Sequence, residues 1–82
     1  MKERLRNNLP KDVILGVPLL TMTGFAEMCV ENYRGILEYT EVLIRIQTKI
    51  GQIRITGKGL SISYYTNDEM KITGRISSVE YI

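Results

Sequence analysis

The sequence predicts a single all-β domain, and three features carry that prediction. Apolar and polar residues alternate in one short run after another, and glycine closes many of the runs, as in Met22-Thr23-Gly24, Ile55-Thr56-Gly57 and Ile72-Thr73-Gly74. Helical spacing of apolar residues is confined to the N-terminal arm, where Met1, Leu5 and Leu9 recur but Asn7, Asn8 and Pro10 oppose a helix. The runs amount to seven or eight short strands. Their connections fall short of the dozen or so residues that a parallel crossover needs, so an antiparallel meander is expected, shaped as a sandwich, a roll or a partly open barrel.

Residues 1–12 read as a basic arm and residues 13–82 as the domain. Pro18 biases Val17 toward extended geometry, and Leu20 and Met22 alternate with Leu19, Thr21 and Thr23 in the first strand. In the second, Ala26, Met28 and Val30 share a face opposite Glu27, Cys29 and Glu31. Asn32-Tyr33-Arg34-Gly35 reads as a tight turn, because Asn and Gly tolerate positive φ. Ile36–Thr40 then reads as the hairpin partner of the second strand, with Leu37 and Tyr39 inward in preference to Ile36 and Glu38.

The cleanest alternation runs from Val42 to Thr48, and Gln52–Thr56 repeats it, so residues 42–56 are expected to form a hairpin with Gly51 in its turn. Gly57-Lys58-Gly59 is expected to turn again, and Leu60, Ile62 and Tyr64 then alternate up to the polar turn Thr66–Glu69. After Met70 and Ile72 the phase slips, which predicts a β-bulge near Gly74 or at Ser77-Ser78 in a strand that ends the chain. Val42, Ile44, Ile46, Ile53, Ile55, Leu60, Ile62 and Ile72 form the expected heart of the core.

Composition excludes several kinds of chemistry. Histidine and tryptophan are absent and Cys29 is the one cysteine, so no zinc or haem site, no histidine acid–base catalysis and no internal disulfide can be built. No catalytic, cofactor-binding or metal-binding residue is assigned, and no small-molecule substrate is expected. Carboxylates on alternating strand positions belong more often to a solvated face than to an acid–base pair. Gly57-Lys58-Gly59 lacks the spacing and the helix of a phosphate loop. Cys29 has no basic sequence neighbour to lower its pKa and reads as a small hydrophobe.

The longest apolar stretch, Val13–Leu20, is too short to cross a bilayer, and no secretory leader is recognisable, so a cytoplasmic protein is expected. Eleven basic residues face nine acidic ones, and the arm, with four basic and two acidic, holds the whole net charge of +2. That is little attraction for a polyanion. Tyr64-Tyr65 with Arg45, Arg54 and Arg75 could form a stacking, basic surface for single-stranded RNA, but a β domain without net charge favours a protein partner. Tyr33, Arg34, Tyr81 and Ile82 are the candidate partner contacts, as aromatic and arginine anchors and an apolar chain end.

Val30-Glu31-Asn32-Tyr33-Arg34-Gly35-Ile36 resembles the YabP/YqfC family of sporulation proteins, its YqfC branch in particular. Leu15-Gly16-Val17-Pro18, Ile44-Arg45-Ile46, the run from Gly51 to Leu60, and Gly74-Arg75-Ile76 extend the likeness over residues 9 to 81. The resemblance implies a mother-cell protein of endospore formers, connected with coat or cortex assembly and placed on the cytosolic side of the membrane around the forespore. It supplies no catalytic residues. The expected partner is a protein, such as a sporulation membrane protein or further copies of the chain; the alternative is a small oligomeric β-barrel that binds nucleic acid.

Overall fold

The computed structural model describes residues 16–82, so the arm at residues 1–12 and the first residues of the domain lie outside the described part. Six strands follow in order: β1 Leu19–Thr23, β2 Glu27–Glu31, β3 Tyr33–Tyr39, β4 Leu43–Thr48, β5 Gly51–Tyr65 and β6 Glu69–Tyr81. All pair antiparallel in one open sheet of order β1-β2-β6-β5-β4-β3. The all-β class therefore holds, with six strands where the alternation suggested seven or eight.

The difference arises in the last two strands. Gly57-Lys58-Gly59 does not turn; β5 runs straight through it for 15 residues against the 13 of β6. A Cβ on Gly57 would overlap the Arg75 carbonyl, and one on Gly74 would stand 2.5 Å from the Gly59 oxygen. These glycines let two backbones approach more closely than any side chain permits. Pairing slips between Thr56↔Ser78 and Gly57↔Ile76, leaving Ser77 over, and again between Lys58↔Arg75 and Ser61↔Thr73. Both expected bulge positions are thus used, and bulges bend and twist the strands that carry them.

Because the hairpin is long, its two halves have different neighbours. The proximal half, β5 up to Thr56 with the end of β6, continues through β4 to β3; the distal half continues through β2 to β1. Asn32 alone links β2 to β3, although four strand spacings, roughly 19 Å in a flat sheet, separate them in the strand order. One residue reaches only about 7 Å between its neighbours. The sheet must therefore curl until its halves face each other. Asn32 makes the passage at φ 66° and donates its side-chain amide to the Val17 carbonyl at 3.0 Å. Consequently β2 and β3 are not the expected hairpin, and the meander is broken at that point.

The halves meet in one core. Ile44, Ile46, Ile53 and Ile55 come from the proximal half and Met28, Val30, Met70 and Ile72 from the distal half, all fully buried, with Leu60, Ile76 and Tyr33 beside them. Each such side chain contributes about 1.5–3 kcal/mol by leaving water. Ile62 packs at the margin. Val42, expected at the centre, is 56% exposed, since it precedes β4. On β3, beyond Tyr33, the inward residue is Ile36, opposite Ile46, whereas Leu37 falls where the β3–β4 register shifts and is exposed, as is Tyr39.

Candidate interaction surface

Staggering a long hairpin between two half-sheets leaves part of each long strand without a neighbour. β4 pairs with β5 only as far as Thr56, so the stretch of β5 from Ser61 to Tyr65 lacks a strand on that side. β3 sets two phenols beside it. The Tyr39 hydroxyl accepts a hydrogen bond from the Ile62 N–H at 2.9 Å, and the Tyr33 hydroxyl donates to the Thr66 carbonyl. The two rings differ in ionisation accordingly. Burial first, then Tyr65 and Asp68, raises the Tyr33 pKa, whereas the Ile62 N–H and the Ser61 side chain favour the Tyr39 phenolate and lower its pKa.

No tyrosine closes the other gap. β2 pairs with β6 only from Glu69 to Thr73, and the β1–β2 turn extends the contact through Gly74 N–H to Ala26 and Ile76 N–H to Phe25. From Ser77 to Ile82, β6 is paired on its β5 side alone among the described residues. Gln52 and Ile82 exchange both backbone hydrogen bonds, at 3.2 and 2.9 Å. By the alternation of an antiparallel ladder, Glu80 and Ser78 also face β5, and the N–H and C=O groups of Val79 and Tyr81 point to the open side.

The outward face of the proximal half carries the row Glu38–Arg45–Arg54–Glu80 across four strands. Arg45 binds Glu38 at 2.9 Å and also donates to Gln52; Arg54 directs Nε and Nη2 to Glu80 Oε1 at 3.2 and 2.9 Å. Two arginines placed opposite each other would repel, and the outer carboxylates offset that. On the distal half Lys71 pairs with Glu27 at 3.5 Å. Lys58 and Arg75 also lie opposite each other, yet neither has a carboxylate within ion-pair distance among the described residues. Instead the Arg75 guanidinium lies over the Phe25 ring, 5.3 Å from its centre.

Of the residues chosen from sequence, Arg34, Tyr81 and Ile82 are exposed. Tyr33 is not a surface anchor: its ring is buried to 8% exposure, because it begins β3 and faces Thr48 and the core instead of standing in a turn. The structure does not bring the four together, since β3 and the end of β6 are opposite margins of the proximal half, about 14 Å apart along the sheet. Nor does it assemble the aromatic and basic surface. Tyr64 and Tyr65 lie at the far end of β5, where Tyr64 bonds Glu69, while Arg45 and Arg54 sit in ion pairs on the proximal half.

Phe25 was missed as a surface residue, although an exposed phenylalanine after Gly24 in a hairpin turn was the available signal. Cys29 is half-buried on β2. The described residues hold no group of three or more acidic or cysteine side chains placed to share a metal ion, and no helix of theirs is long and apolar enough to cross a membrane.

The model of the YabP family matches residues 17–82. The chain is 35% identical over 74 residues to a Bacillus subtilis (strain 168) protein named "Uncharacterized protein YqfC", an alignment that covers 90% of this chain and 80% of that one. No solved structure matches it.

Proposed function

The chain belongs to the YabP/YqfC family, and from that premise we propose that it is a non-enzymatic interaction module of endospore formation, binding a protein partner during coat or cortex assembly. The observation that carries the proposal is the unequal treatment of the two gaps beside the long hairpin. Tyr33 and Tyr39 each place a hydrogen bond along one, and the other leaves backbone groups of β6 unpaired among the described residues. Natural sheets usually blunt such an edge or give it a partner. The proposed place of action is the mother-cell side of the membrane around the forespore, with a sporulation membrane protein as the partner.

A nucleic-acid role is the weaker reading, because the carboxylates beside Arg45 and Arg54 already occupy the cations that would meet phosphates. Deletion of the gene in a spore-forming host and purification of the tagged full-length chain from sporulating cells test the proposal. The expected result is normal growth, a loss of heat-resistant spores and co-purification of a defined protein. Normal spores, or nucleic acid released steeply by salt in place of a protein, would contradict it.

A further inference from the structure

Three properties meet at the end of β6. The first is an open stretch, Ser77 to Ile82, with the polar backbone groups of Val79 and Tyr81 facing outward. The second is its inner face: Val79 is partly buried against the core and Tyr81 is 48% exposed, so an added strand would cover apolar surface there. The third is charge. The Phe25 carbonyl accepts the Ile76 N–H, so Phe25 lies on the open side of β6, and Arg75 leans over it toward that side. Lys58 stands directly across from Arg75 on β5, and among the described residues no carboxylate pairs with either. Like charges directly opposite each other on a sheet are destabilising, and three other strand cations, Arg45, Arg54 and Lys71, have a carboxylate.

We propose that the open edge of β6 accepts an extended segment of a protein partner as a seventh strand, with an acidic side chain opposite Ser78 on the outer face, where it meets Arg75 and Lys58. This deepens the interaction reading above and rests on it. Backbone bonds to Val79 and Tyr81 supply affinity, and the carboxylate supplies selectivity, the division of labour usual when a peptide joins a sheet. A second copy of the chain fits less well. Two-fold pairing over Ser78–Ile82 sets Glu80 against its own counterpart, again with like charges opposed. An acidic residue placed near Glu80 on any partner is disfavoured for the same reason, which fixes the preferred position toward the Arg75 end.

The test uses the full chain and two synthetic peptides of about eight residues, alternating valine and threonine, one with glutamate and the other with lysine at the position that would face Ser78. Amide exchange and peptide titration are followed by NMR. The glutamate peptide is expected to protect the Val79 and Tyr81 amides and to bind roughly 10-fold tighter than its lysine twin, the factor of a charge-assisted bond. Arg75→Glu should abolish or invert the preference. Val79→Pro should bind neither peptide while remaining folded, because the N–H it removes faces the open side; Tyr81→Pro is the second variant should the first not fold. Protection of β1 or β3 instead, equal binding of the two peptides, no binding at all, or a dimer mass lost on Val79→Pro would overturn the proposal. Peptide binding as expected, with no partner recovered from sporulating cells, would instead overturn the functional reading and leave the edge assignment standing.

Discussion

Ile44 and Val42 are two positions apart on one alternating run, yet the first is fully buried and the second 56% exposed. Ile44→Ala should cost about 2–5 kcal/mol of stability, whereas Val42→Ala should stay within about 0.5 kcal/mol. Equal midpoints in urea would show the burial to be wrong. Alternation told correctly which face of each strand is apolar, and most of the expected core is buried. It could not tell where a strand leaves the core, hence the errors at Val42, Leu37 and Tyr39. Tyr33 gives a second check. Its pKa is raised, chiefly by burial, above the ordinary 10.0, so the stability it contributes is complete below about pH 10 and is lost as pH rises through its folded value. The stability advantage of the natural chain over Tyr33→Phe should therefore narrow above pH 10; a constant gap would contradict it.

Among the elements, the long β5–β6 hairpin was the least legible. Gly57-Lys58-Gly59 has the composition of a turn, and only the carbonyl of Arg75 pressing on Gly57 reveals that glycine there serves close approach within a strand. The phase slip after Ile72 was legible, because a bulge displaces the apolar register of the strand that carries it. Gly74→Ala should cost more than about 1–3 kcal/mol, since it meets both a φ of +128° and the Gly59 carbonyl at 2.5 Å, while Gly35→Ala, with open space at its Cβ, should be mild. Thermal melts of the two variants decide this, and indistinguishable midpoints would mean that the strands do not cross tightly at Gly74.

At the scale of the whole molecule, strand order was hidden because β2 pairs with β6 across some forty residues of intervening chain, and no local pattern records such a choice. Part of the candidate surface was hidden with it: the segment from Val79 to Ile82 was legible as an apolar end, but Arg75 and Phe25 join it only once the open side of β6 is known. A sheet curled this way sets tyrosine hydroxyls beside one gap, and the other, open among the described residues, is where the proposed partner strand would add. The most direct test is to replace the chromosomal gene of a spore former with the Val79→Pro variant and count heat-resistant spores, after showing that the variant is folded and as abundant as the natural protein. The expected result is a loss of spores as large as that of the deletion, with Val42→Thr behaving as the natural chain. A full yield of resistant spores from the folded proline variant would contradict it.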